Sequence, residues 1–228
     1  MKISICVPTW NRFHHTINCF WTILSDERVQ EVIISDDNST DDSYLRLLNF
    51  YKDEPKVKIF KNKERLKVHG NKHCAINHAS SDWCILFDSD NTIDVSYLDK
   101  IYELDWKPNT IYQPSFAKPH FDYRSLCNIY NKNNIKDHID KKMFDCMLNT
   151  QNFFVNRAEY LKTWQNDDNI AGADSIFFNY LWLARGNKIE VVDGLEYNHL
   201  VHDGSFYVSV AQESEPKSLN LIQKIKQL

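Results

Sequence analysis

Two aspartates one residue apart close an apolar run in Trp83-Cys84-Ile85-Leu86-Phe87-Asp88-Ser89-Asp90-Asn91. On an extended chain, residues two apart face the same side, so Asp88 and Asp90 would point together. Two anions that close repel unless a cation sits between them. Hard divalent ions, the kind that accompany phosphates, take oxygen ligands of this type. The alternative is a strand running into a turn, where Asp and Asn are ordinary residues. Other clusters bear on the choice. Thr9-Trp10-Asn11-Arg12 follows Ile3-Ser4-Ile5-Cys6-Val7-Pro8, and Asp36-Asp37-Asn38-Ser39-Thr40 follows Val32-Ile33-Ile34. Late in the chain Asp174 opens an apolar-periodic segment, and His199 and His202 lie three apart in a polar stretch.

These clusters need a scaffold that delivers them to one place. The apolar patterning predicts strands at 3–7, 32–34, 57–59 and 83–87, with helices over 16–24, 44–51 and 71–79 between them. Thr40 or Asp41 is the expected N-cap of the second helix. Alternation of strands and helices implies parallel pairing with right-handed crossovers. In such sheets ligands sit outside the carboxyl ends of the strands, which is where all three early clusters fall. The second half predicts strands at 111–112, 153–155 and 189–192 and helices over 158–164 and from Asp174 to Ala184, the latter stopped by Arg185-Gly186. Residues 116–150 carry no clear period. Leu219, Leu221, Ile222 and Ile225 outline an amphipathic C-terminal helix, expected to be a packing element.

With 228 residues, 43% of them hydrophobic, the chain can bury one sizeable core. Twenty-seven basic against 31 acidic residues, a net charge of -4, argues against general nucleic-acid binding. The six cysteines form no C-x-x-C pair and read as reduced, buried small hydrophobes of a cytoplasmic protein. No apolar run approaches the roughly 20 residues of a membrane span, and the chain enters a strand at once, so no secretory leader is expected. Lys56, Lys58, Lys61, Lys63, Arg65 and Lys67 read first as the solvated face of an edge strand. Attraction to an anionic membrane surface or a phosphorylated acceptor is the lesser reading, so peripheral membrane contact stays open.

Taken in order, Val7-Pro8-Thr9-Trp10-Asn11-Arg12, Ile33-Ile34-Ser35-Asp36-Asp37-Asn38-Ser39-Thr40-Asp41, Leu86-Phe87-Asp88-Ser89-Asp90-Asn91 and Asp174 resemble an inverting GT-A glycosyltransferase of family 2. The resemblance covers roughly residues 3 to 205. It implies an α/β, Rossmann-like, mostly parallel sheet flanked by helices in a single domain. Residues 1–91 would bind the nucleotide, 92–205 the acceptor and the catalytic group, and 206–228 form a tail. It also implies a nucleotide-sugar donor, UDP-sugar favoured, a glycan or glycoconjugate acceptor, and a divalent cation, Mn or Mg.

On that resemblance Pro8, Thr9, Asn11, Arg12, Asp36, Asp37, Asn38, Lys72, Asp88 and Ser89 contact the donor. Asp90 binds the metal with Asp88 and His202, His199 being the lesser choice. Asp36 or Asp37 suits a uracil-type base, whose single ring N–H calls for a fixed acceptor. Lys72 stands where many relatives carry arginine, and Asn91 where a third acidic residue is commoner. Asp174 is the expected general base, since inversion needs one carboxylate to take the acceptor proton; capping its helix is the alternative role. A sugar-nucleotide nucleotidyltransferase is the rival enzyme, disfavoured because no glycine follows the first strand. A catalytically inactive carbohydrate-binding subunit is the rival from another class.

Overall fold

A computed structural model describes residues 1–170, 172–201 and 206–228. Ala171 and His202 therefore lie outside the described residues. The first half runs β1 (Ile3–Thr9), α1 (Phe13–Cys19), β2 (Val29–Asp36), α2 (Ser43–Phe50), β3 (Val57–Lys61), α3 (Lys67–His78), β4 (Trp83–Leu86) and α4 (Val95–Tyr102). The second runs β5 (Thr110–Lys118), β6 (Phe121–Asp122), β7 (Asn128–Tyr130), α5 (Phe144–Leu148), β8 (Phe153–Asn156), α6 (Arg157–Thr163), α7 (Asp174–Ala184), β9 (Lys188–Asn198) and α8 (Phe206–Lys226).

The nine strands among the described residues share one sheet in the order β3-β2-β1-β4-β8-β5-β9-β7, with β6 paired to β5. β3, β2, β1 and β4 pair in parallel, as expected. The expectation of a mostly parallel sheet ends there. β8 joins β4 and β5 antiparallel, and β7 joins β9 antiparallel, while β5 and β9 run parallel. The sheet is mixed.

Period-2 alternation explains why both faces are covered. Ile5, Val7, Ile34, Ile85 and Phe87 enter one core with α4's Tyr97, Leu98 and Ile101. Cys6, Ile33, Cys84 and Leu86 enter the other with α3's Ala75 and Ile76 and α7's Phe178 and Trp182. Cys6 and Cys84 are buried free thiols, and burial raises the pKa of Cys6, as for small hydrophobes.

Several boundaries differ from the sequence pattern for local reasons. α1 begins at Phe13 and stops at Cys19, and a separate 3₁₀ turn spans Trp21–Ile23. The Cys19 carbonyl accepts from Ile93 N–H at 2.9 Å instead of continuing the helix. α2 has Asp42 at its N-cap position, and the Asp41 carboxylate accepts from Ser43 N–H at 2.9 Å. β9 continues to Asn198, so Tyr197 and Asn198 belong to the strand. The unperiodic 116–150 stretch holds the end of β5, the two short strands β6 and β7, and α5. β3 is an edge strand as the lysine alternation implied, yet Arg65 and Lys67 lie beyond it, at the start of α3.

The amino end of the sheet is held by Glu31, 1% exposed. Its carboxylate accepts from Ser4 Oγ at 2.8 Å and from Ser80 N–H and Oγ at 2.6 and 2.7 Å, and it pairs with Lys58 of β3. Burial opposes ionisation, but these donors outweigh it and pull the Glu31 pKa down to about 2. A carboxylate depressed in the folded state stabilises at pH above its unfolded value. That contribution fades as pH falls from about 4.5 toward 2. Glu31→Gln should therefore cost about 1–3 kcal/mol at neutral pH, with the gap to the parent closing across that acid window. Urea unfolding at neutral and acidic pH measures it.

Candidate active site

Because β1, β2 and β4 are parallel, their carboxyl ends reach the same rim. The backbone ladder carries on past the strands: Asp37 N–H donates to Thr9 O at 2.9 Å and Phe87 N–H to Cys6 O at 2.9 Å. This fixes the clusters that follow. A cleft of about 490 Å³ opens there, lined by Pro8, Thr9, Arg12, Asp37, Asp88 and Ser89 of the expected set. Trp10, Arg65, Lys67, Val68 and Asn71 complete the wall.

The two carboxylates after β2 separate into different roles. Asp36 is fully buried and accepts from Ser39 N–H at 2.8 Å and Ser39 Oγ at 2.5 Å. It shapes its own loop and is absent from the cleft wall. Asp37 lines the cleft, and its Oδ1 accepts from Leu66 N–H at 2.8 Å and Asn62 Nδ2 at 3.1 Å. Burial raises the Asp37 pKa against those donors and Arg65. Asn11 and Asn38 are not among the residues lining this cleft. Asn11 and Asn38 have φ of 53° and 57°, a region Asn tolerates better than most residues. Asn11 Oδ1 accepts from Thr40 N–H at 2.9 Å and its Nδ2 donates to Thr40 Oγ1 at 3.1 Å, clamping one loop to the other.

On the β4 side, Arg12 pairs with Asp90 at 2.7 Å. The side-chain oxygen of Asn152, at the entry to β8, accepts from Asp88 N–H at 2.7 Å, its backbone carbonyl accepts from the Tyr97 hydroxyl, and its Nδ2 donates to the Tyr197 hydroxyl. Asn91 accepts from Leu200 N–H at 3.2 Å, tying the end of the β9 connection to this turn.

The decisive contact joins residues far apart in sequence. Lys72 of α3 is 3% exposed, and its Nζ lies 3.0 Å from Asp174 Oδ2 and 3.6 Å from Asp88 Oδ1. Burial alone would lower the lysine pKa, but Asp174 and Asp88 reverse the shift and raise it. Burial raises the Asp88 pKa, reinforced by Asp90 and Asp174 and opposed by Lys72 and Arg12. Asp174 is the first residue of α7, the N-cap position being Ala173 with no side-chain cap bond. Its carboxylate is engaged by Lys72. The geometry does not show the capping alternative.

Gly172 lets α8 close on the loop before Asp174. It has φ +71°, and a Cβ there would meet Val210 Cγ2 at 2.7 Å and Ser214 Cβ at 2.8 Å. His199 Nδ1 sits 3.0 Å from His120 Nδ1, so its ring faces another imidazole. Among the described residues no group of three or more His, Cys, Asp or Glu side chains could hold a metal by itself. Sequence reasoning missed several contributors. Arg65 stacks over Trp10 at 3.5 Å from the ring centroid, Asn71 donates to Thr9 O and Ser35 O, and Asn152 was unassigned. Only the Arg65 position within a basic run hinted at any of them.

A family model for glycosyl transferase family 2 matches residues 4–164, which include the polar clusters that follow β1, β2 and β4. The chain belongs to glycosyl transferase family 2. This family 2 glycosyltransferase is 33% identical over 94 residues to the GalNAc(5)-diNAcBac-PP-undecaprenol beta-1,3-glucosyltransferase of Campylobacter jejuni subsp. jejuni serotype O:2, covering 40% of the chain and 30% of that relative. It thus spans under a third of the relative's length. Among solved structures, S. aureus TarS 1-349 in complex with UDP-GlcNAc superposes with a TM-score of 0.73 at 16% identity, over 99% of this chain and 66% of that one. The mannosyltransferase PcManGT from Pyrobaculum calidifontis, in complex with GDP-Man and Mn2+, gives 0.67 at 11% identity, over 96% and 64%. At those identities the likeness is one of fold. Among the described residues of the glycosyltransferase, no helix is long and apolar enough to cross a membrane.

Removing a charge that compensates buried partners is more costly than the net worth of the contact. Lys72→Met keeps the side chain's length and should destabilise the enzyme by about 3–5 kcal/mol, read as a drop in melting temperature. Lys72→Arg, which keeps the charge, should lose less.

Proposed function

We propose that this glycosyltransferase moves a sugar from a nucleoside-diphosphate donor, UDP-sugar favoured, to a hydroxyl of a glycan or glycoconjugate with inversion. The observation that carries the reading is the Lys72 bridge, which sets the carboxylate of Asp174 beside the donor cleft and its Asp88. Asp37 is fixed as an acceptor for a ring N–H of the base, and Pro8 and Thr9 form the adjacent wall. Asp88 and Asp90 are hard oxygen donors, and two carboxylates completed by substrate phosphates are how Mg²⁺-type ions are held. The donor set therefore fits a divalent cation, which when bound would neutralise the charge of the departing diphosphate. Arg12 and Lys72 add fixed positive charge on the same side.

In the reaction, Asp174 takes the proton from the acceptor hydroxyl as that oxygen bonds to the anomeric carbon. The bond from that carbon to the diphosphate oxygen breaks on the opposite face, its electron pair leaving with the diphosphate, which departs as a weakly basic anion and needs no proton, so one carboxylate suffices. The resemblance to enzymes whose structures hold UDP-GlcNAc and GDP-Man with Mn2+ supports a nucleotide-sugar donor. The named activity of the Campylobacter relative concerns a lipid-linked glycan, which makes a membrane-borne acceptor the version to test first.

Two experiments divide the reading. By calorimetry, Asp37→Ala should weaken UDP binding about tenfold with or without metal, the loss of one charged hydrogen bond. Asp90→Ala should instead erase only the metal-dependent part of that affinity. Unchanged affinity in both variants would move the donor site elsewhere. Asp174→Asn keeps the shape but not the basicity, so kcat should fall by ~10²–10⁴ while UDP affinity stays within a few-fold. Turnover near that of the parent would remove Asp174 from catalysis.

A further inference from the structure

Among the described residues eleven large hydrophobic side chains are exposed, and four of them, Trp21, Leu45, Leu48 and Phe50, fall on α2 and the turn that follows α1. Exposed apolar residues scattered singly need no explanation, but a cluster marks an interaction surface. Leu45 and Leu48, 68% and 40% exposed, stand about 60° apart on the helix, away from the buried Ser43 and Leu47. Phe50 closes α2 and meets Phe13 and Trp21 edge-on, at 6.0 and 6.5 Å between ring centroids. Trp21 is 61% exposed, so most of its indole faces outward. The core takes Phe20, Leu47 and Tyr51 from the same segments and leaves these four outside.

Positive charge borders this face. β3 is the edge strand beside α2, and its Val57 and Ile59 pack into the core that Leu47 enters. Two residues on, Lys61 falls on the same face of the strand. Its Nζ lies 5.1 Å from the ring centroid of Tyr44, the neighbour of Leu45 on α2. From there the chain runs Lys61-Asn62-Lys63-Glu64-Arg65-Leu66-Lys67, four cations against one acid in a chain whose net charge is -4. All four cations are exposed. The acids nearer the helix are already engaged: Asp42 pairs with Arg46 at 3.6 Å, Asp41 accepts from Ser43 N–H at 2.9 Å, and Asp53 follows Lys52 in the chain. Arg65 and Lys67 also line the donor cleft. The basic strip therefore leads from the apolar face to the mouth of that cleft.

Leucines and a tryptophan beside lysines and arginines are the composition of a surface that lies in a bilayer interface. The apolar groups enter the boundary between headgroups and acyl chains, and the cations meet anionic headgroups. A protein partner would account for the apolar cluster alone; the adjoining cations favour an anionic surface.

Resting on the reading of a membrane-borne acceptor, we propose that the outer face of α2, with Trp21 beside it and the strip from Lys61 to Lys67, docks the enzyme on an anionic bilayer. Docking holds the mouth of the donor cleft at headgroup level, where a lipid-linked acceptor presents its glycan.

The test sediments the whole chain with vesicles of phosphatidylcholine, alone or mixed with phosphatidylglycerol. The parent should bind the mixed vesicles about tenfold more tightly than the neutral ones, and the difference should fade at high salt. Trp21→Gln/Leu45→Gln should lose about tenfold on the mixed vesicles. Lys61→Gln/Lys63→Gln should lose the preference for phosphatidylglycerol. In both double variants the melting temperature and the UDP affinity should stay close to those of the parent, because these side chains are exposed and lie outside the cleft wall. Lipids brominated in the acyl chain should quench the tryptophan emission of the parent, and much less that of Trp21→Phe. Absence of parent binding to mixed vesicles, or binding unchanged in both double variants, would overturn the proposal. So would a parent that self-associates without binding vesicles and becomes monomeric as Trp21→Gln/Leu45→Gln, since a second copy would then cover the face. Failure of the membrane-borne acceptor reading looks different. Vesicle binding would be intact, with glycosyl transfer to a water-soluble acceptor as fast as to a lipid-linked one.

Discussion

A buried ammonium cannot stand alone in a protein interior, and Lys72 is compensated by two carboxylates drawn from opposite halves of the chain. Asp88 arrives at the end of β4 and Asp174 at the start of α7, so the pairing ties both halves of the chain to α3. Desolvating three charges is favourable only if they stay together. That requirement fixes the distance between the group proposed to remove a proton and the group proposed to hold the donor. A rigid spacing of this kind is what an in-line displacement needs, because small misplacements are costly in rate.

The rest of the rim is built to hold these groups still. Asn11 bridges to Thr40, Ser39 Oγ accepts from Asn11 N–H at 2.9 Å, and Asp36 in turn holds Ser39. Polar residues that resemble ligand contacts are thus spent on backbone, since loop amides must find partners before any ligand arrives. Behind them the sheet is closed at its other end by the Glu31 network. In β1, β2 and β4 the polar residues lie toward the strand ends, and the length between them is apolar on both faces.

The meeting of the early polar clusters at one rim was legible in the sequence. Asp37, Asp88 and Asp90 were readable because polar residues ending apolar strands in a parallel arrangement must meet at one rim. Asp174 was readable as a carboxylate opening a helix. The Lys72–Asp174 contact was not, because 102 positions separate the two residues and no local period encodes a tertiary pair. Asp36 and Asn11 were assigned to the ligand because an Asx residue in a loop looks the same whether it binds substrate or a neighbouring amide. The antiparallel half was hidden for another reason. β6 and β7 have two and three residues, too few to show alternation.

In the proposed reaction, donor and base are brought together across Lys72. A crystal structure of the chain with UDP and Mn²⁺, with the metal located by anomalous scattering, tests it most directly. The base of UDP should lie against Asp37, with an anomalous peak within about 2.2 Å of an Asp90 oxygen. The Lys72–Asp174 contact should be intact beside the diphosphate. A nucleotide bound away from Asp37, or metal density remote from Asp88 and Asp90, would contradict this arrangement.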